Sequence, residues 1–254
     1  DNTYTGATTV SGGTLQVGAG GATGALGAGA VTVNAALVFN RSNTATVANA
    51  ISGSGNLTQA GTGTLVLTGT NSYGATTVSA GTLQVGNGGS GGTLGAGAVT
   101  DSAALVFNHG DTLTVANAIS GSGSLTQAGS GTLTLTGTNS YGSTIVSAGT
   151  LQVGAGGTTG TLGGGAVTDN ATLVFNRSNA LTVSSAIAGT GSLVQAGAGT
   201  LTLSGTNSYA ATTISAGTLV TGVAGALPAG QAVTVGAGTL DIDGKAPSVG
   251  TVTL

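Results

Sequence analysis

The residues able to do chemistry are few and far apart. Six aspartates, two arginines, one lysine and one histidine make up the ionisable set besides four tyrosines and the chain termini, and glutamate and cysteine are absent. His109-Gly110-Asp111 puts the single imidazole two residues from a carboxylate. One histidine and one aspartate make neither a metal shell nor a nucleophilic triad, so a polar surface turn is expected there. Asp241-x-Asp243-Gly244 opens like a calcium loop, but the third ligand and the late glutamate are missing. A metal site would rest on Asp241 and Asp243 alone, and a turn closing a strand is the expectation. Gly86-x-Gly88-x-x-Gly91 spells the dinucleotide pattern without the helix and βαβ unit that give it meaning. A glycan hydrolase needs two acids across one groove, and aspartates this scattered do not supply them. The expectation is therefore no catalytic residue, no cofactor and no enzyme.

Tyr73, Tyr141 and Tyr209 are the remaining candidates, because they recur at a constant interval. They either pack at a corner of the fold or form a periodic contact stripe. Rows of threonine, such as Thr132, Thr134 and Thr136, could form a flat hydroxyl array, or they are simply what a solvated strand carries.

The elements that must position these residues are themselves repeated. Gly-Thr-Leu-Gln-Val-Gly opens at Gly13, Gly81 and Gly149, and Leu-Val-Phe-Asn at Leu37, Leu105 and Leu173. From Val10 to Thr206 the copies carry no insertion or deletion relative to one another. They run approximately 3–70, 71–138 and 139–206, and a divergent partial copy follows over 207–254. A fixed period this long marks an array of stacked units, here one continuous solenoid over 1–254.

Composition narrows the class. Glycine is 51 of 254 residues and the net charge is −3. Regularly placed Leu, Val, Ile and Phe supply the apolar area that disordered glycine-rich chains lack. No basic patch exists, so nucleic acid is not an expected partner. No apolar run nears the ~18 residues of a membrane helix. The chain begins at Asp1 without a signal peptide and reads as a processed or trimmed piece.

Helical periodicity is missing, and alternation replaces it. Thr132-Leu133-Thr134-Leu135-Thr136 puts leucine on one face and threonine on the other. In the second copy, strands are expected near 75–79, 82–85, 98–100, 104–107, 113–119, 124–128 and 132–136. Glycine corners divide them, with none of the two-residue turns of hairpins. This pattern predicts an all-β fold, a right-handed parallel β-helix. With roughly 20–24 residues per rung, each copy makes about three rungs and the chain about eleven. Phe39, Phe107 and Phe175 would then sit about 14 Å apart along the stack.

A family resemblance rests on longer stretches. Gly53-Ser54-Gly55-Asn56-Leu57, Gly61-Thr62-Gly63-Thr64-Leu65-Val66-Leu67, Gly69-Thr70-Asn71-Ser72-Tyr73 and Thr76 to Leu83 resemble the autotransporter-associated β-strand repeat, also called the passenger-associated transport repeat. The match recurs over Gly121–Leu151 and Gly189–Leu219, and Asn2–Leu15 is the tail of an earlier copy. The resemblance implies a type V secretion passenger on the surface of a Gram-negative bacterium, exported by a β-barrel outside this piece. It implies a stalk that carries no chemistry. A low-charge surface, many hydroxyls and an uncapped solenoid end add the expectation of a structural and adhesive stalk or fibre segment that associates head to tail and meets a host or biofilm surface ligand. The alternative is a glycan- or ice-binding solenoid that uses its threonine face.

Overall fold

The computed structural model describes residues 1–254 as short strands joined by glycine-rich corners, with no helix. In the second copy the strands are Thr76–Val78, Thr82–Val85, Val99–Asp101, Ala104–Phe107, Thr112–Val115, Ile119–Ser120, Ser124–Gln127 and Thr132–Leu135. The stretch expected at 113–119 is two strands, because the chain turns a corner at Ala116–Ala118. Inward Leu105 and Phe107 alternate with Ala104 and Val106, and inward Leu125 and Gln127 with outward Ser124 and Thr126, which is the pattern that a half-buried strand requires.

The winding follows from the pairing. Val31–Val33, Ala36–Phe39 and Ala45–Val47 are laid down in order, one per face. Ile51, Asn56 and Leu65 then pair in parallel with Val31, Ala36 and Ala45 respectively, and the same offset separates all three pairs. One turn of this three-faced solenoid thus takes about 20 residues, at the short end of solenoid repeats. Following the faces from Thr8–Val10 to Thr251–Thr253 gives twelve turns of a right-handed parallel β-helix. At ~4.8 Å per strand spacing this is a stack of roughly 58 Å.

The long repeat does not close on whole turns. Val38 is topped by Thr58, then Thr77, then Thr100, so three turns on that face end at Thr100, short of Val106, the counterpart of Val38 in the next copy. The residues left over carry the chain to the next face. Val106 accordingly lies in the neighbouring ladder between Gln84 and Thr126. One copy is therefore three and one-third turns, and successive copies are rotated by one face. Phe39, Phe107 and Phe175 consequently sit on three different faces instead of one column. Each face still reads the same inward column, displaced along the axis. Leu65, Leu83, Leu105, Leu125, Thr144 and Val167 stack on one face, and Leu133, Leu151, Leu173, Leu193, Thr212 and Val233 on the next. The solenoid is a three-fold screw with one uninterrupted apolar core.

Few groups interrupt that core, and the tyrosines and asparagines shared by all copies are satisfied. Tyr73, Tyr141 and Tyr209 are buried at three successive corners, and each hydroxyl meets the buried hydroxyl of Thr76, Thr144 or Thr212 at 3.0–3.2 Å. Burial pushes the Tyr141 and Tyr209 hydroxyls up to about 12. Asn71, Asn139 and Asn207 stand where the main chain leaves the ladder. Each side-chain oxygen accepts from Ile51, Ile119 or Ile187 below, and each amide donates to Thr93, Thr161 or Ala226 above. Gln59, Gln127 and Gln195 tie off the Gly-x-Gly corners by donating to Gly61, Gly129 and Gly197, and the Gln127 side-chain oxygen stays unpaired. Glycine is required where turns pass closest: at Gly121 φ is 112° and a Cβ would strike the Asp101 carbonyl.

Candidate functional site

Three glycine-rich lobes leave the regular winding, at 18–24, 86–92 and 154–160, each at a different corner because the copies rotate. Their tips are exposed. Charge is concentrated where a lobe meets the turn above it. Arg41 donates to the carbonyls of Gly24 and Ala22, and Nε and Nη2 both reach Asn43 Oδ1 at 2.9–3.0 Å. Arg177 repeats the arrangement on Gly160, Thr158 and Asn179 at 2.6–3.0 Å. A planar guanidinium with several donors suits this task, since it bridges carbonyls that no strand can reach.

The middle copy differs. His109 and Asp111 replace the arginine and asparagine, and His109 Nδ1 lies 3.2 Å from Asp111 Oδ1. The ring is buried under Gly86, and its Nε2 has no partner. The imidazole does not bond the carbonyls of Ser90 and Gly92, so no cation clamps this lobe, and its side-chain tie is Gln84 donating to Gly86 at the base. The segment expected as a polar surface turn is therefore a buried ring with an exposed carboxylate.

Beside each lobe a ladder begins anew. The strands Ala45–Val47, Thr112–Val115 and Leu181–Val183 are the first of their ladders, because the turn beneath them is irregular lobe. No main-chain hydrogen bond joins residues 24–28 to 44–47. The Val47 carbonyl is taken by Thr68 in the turn above. Neighbouring residues of a parallel strand face opposite partners, so the Thr46 N–H and C=O point into the gap. In the first copy the result is a slot with a cation clamp at one end and an asparagine at the other. Asn49 donates to Gly27 and Gly29, and Asn117 to Gly95 and Gly97.

Two of the three slots are open. The first holds a cavity of about 160 Å³ lined by Val17, Leu26, Phe39, Thr44, Thr46 and Val47 among others. It exists because Ala45 stands where the other copies have Leu113 and Leu181. The third holds about 210 Å³ beside Leu162, Leu181, Thr182, Val183 and Ser185. There Ser185 replaces the asparagine and makes only a long 3.4 Å bond to Gly164. The second copy has both Leu113 and Asn117, and no cavity.

The other candidates take their places around these slots. Asp241 and Asp243 form an exposed turn in which the Asp243 N–H donates to Asp241 Oδ1, and the Lys245 ammonium lies 3.7 Å from Asp243. No third acid or histidine joins them. Tyr73, Tyr141 and Tyr209 are buried and offer no surface stripe. The threonine rows are not continuous either, since Gln152, Val174 and Val194 follow Thr134 on one outward row. Sequence reasoning passed over Asp101 and Asp169, which are wholly buried. Burial pushes both carboxyls up to about 6, against a single opposing N–H from Ala103 or Ala171. The first copy has Val33 at this position.

The family match falls on the frame. The passenger-associated-transport-repeat family model matches residues 1–17, 57–85, 125–153 and 193–220. Those stretches carry the glutamine corners, the ladder-bridging asparagines and the tyrosine–threonine pairs. The chain therefore carries passenger-associated transport repeats along its frame. The repeat is also similar, at 40% identity over 171 residues, to the Adhesin BmaC autotransporter of Brucella suis biovar 1 (strain 1330). That match takes in 59% of this chain, and the chain spans about 5% of the relative's length. No solved structure matches. All three lobes and the buried aspartates lie outside the stretches that define the repeat, and so do the slots apart from Val17 on the floor of the first.

Proposed function

We propose that the chain is a length of an extracellular passenger stalk that holds adhesive surface away from a Gram-negative cell, with no catalysis of its own. The observation that carries this reading is the similarity to an autotransporter adhesin over 171 residues. The physics of the screw agrees with it. Each copy adds roughly 16 Å of length and turns its lobe by one face, so the same exposed loop is offered around the whole stalk. Parallel ladders that repeat one frame also suit head-to-tail association, in which a second copy extends the same stack. Display of the chain on a secretion β-barrel tests the proposal. Bacteria carrying it should bind host cells or an abiotic surface above a barrel-only control and sediment as aggregates. Equal binding by both strains would refute adhesion, and monodisperse purified chain at high concentration would refute association.

A further inference from the structure

We propose that the two open slots are binding sites for single neutral sugar residues of a surface glycan. The inference rests on the adhesive reading above and names the class of ligand that it would meet. Each slot combines an apolar floor with a hydroxyl rim. In the first copy Val17, Leu26, Phe39 and Val47 lie beneath Thr44 and Thr46. In the third, Leu162, Leu181 and Val183 lie beneath Thr161, Thr182 and Ser184. A pyranose presents the same two chemistries, a C–H face and a hydroxyl edge, and a slot that excludes neither is matched to it. The unpaired main-chain N–H and C=O of Thr46 add one donor and one acceptor inside the slot.

Size selects the occupant further. Sites for drug-sized ligands run to roughly 300–1,000 Å³, well above 160 or 210 Å³, so one ring fits and a larger ligand does not. A strand of another chain does not fit either, because Arg41 and Asn49 close the first slot at both ends. No carboxylate lines either cavity, and the third has no charged lining at all, which favours a neutral sugar. A single ring held by so few contacts binds at roughly millimolar strength. The screw then matters, because slots on different faces engage separate glycan chains, and each added contact multiplies the avidity.

The protein supplies its own controls. Ala45→Leu and Ser185→Asn install residues that sister copies already carry at the same positions, so both close a slot without disturbing the frame. Saturation-transfer NMR and calorimetry with glucose, galactose, mannose and N-acetylglucosamine provide the readout. We expect the parent chain to bind at least one of these at two sites. Each substitution should remove one site and the double variant both, with unchanged circular dichroism. Leu113→Ala should open the closed second slot and add a site. The proposal is overturned if none of the sugars binds the parent chain, or if the double variant binds as the parent does. Cell adhesion by the double variant separates the two readings: adhesion that persists after sugar binding is lost removes the glycan assignment and leaves the stalk.

Discussion

Two corners of each copy make an instructive contrast. At the corner of Asn71, Tyr73 and Thr76 the three copies are identical, and every polar side-chain atom inside the wall has a partner. At the corner of Arg41, His109 and Arg177 the copies differ, and a buried nitrogen in the middle one is left unpaired. The first corner holds consecutive turns together where the main chain cannot, so any loss there opens the wall of the solenoid. The second holds only a lobe, whose failure leaves the winding intact. Freedom to vary follows from what each corner supports.

Breaking the first corner should have the largest effect. Asn139→Ala leaves the Ile119 N–H and the Thr161 carbonyl buried without a partner, and we expect a loss of roughly 2–4 kcal/mol in denaturant unfolding. The cost should fall mainly on the adjacent turns, since solenoids unfold by neighbours.

Next in size are Asp101→Val and Asp169→Val, which install the residue of the first copy. Each aspartate is held above its unfolded value, from 3.8 to about 6 in the folded chain. The folded state therefore binds the proton more tightly, and the parent chain loses stability as pH rises from about 4 to above 6. We expect each valine to add roughly 1–3 kcal/mol at pH 7 and to flatten that dependence. Urea midpoints that are equal at pH 4 and pH 7 in the parent would contradict this.

The smallest effects belong to the second corner. Arg177→Ala should change the unfolding midpoint by less than about 1 kcal/mol. It should also speed amide exchange in residues 154–160 toward the rate of 86–92. His109→Arg, paired with Asp111→Asn, should slow exchange in 86–92 toward the clamped lobes. Exchange that is already equal in the three parent lobes would remove the distinction between clamped and free.

Much of the frame could be read from the residues. Alternation at Thr132–Thr136 and glycine at the corners give parallel strands without helices, and the period gives stacking. The break at Ala116–Ala118 was hidden because apolar small residues continue the strand pattern while Asn117 turns away to hold Gly95 and Gly97. The one-third turn was hidden as well. Pairing offsets vary as lobes come and go, short from Thr64 to Thr82 and longer from Thr144 to Val167, and only their sum over a copy shows the remainder. The slots were out of reach because each depends on one substitution, Ala45 or Ser185, whose meaning appears only beside the strand it fails to fill. Asp101 reads as a strand end in sequence, and its burial comes from Gly123 packing over it in the next turn.

The rotation of the copies is the claim on which lobes, slots and display all depend, and distances between spin labels test it most directly. Labels at positions 38 and 100 should lie about 14 Å apart, stacked three turns up one face. Labels at 38 and 106 should be separated by about 20 Å or more, because they occupy neighbouring faces. If 38 and 106 instead lie as close together as 38 and 100, the repeat closes on three whole turns, and the screw is wrong.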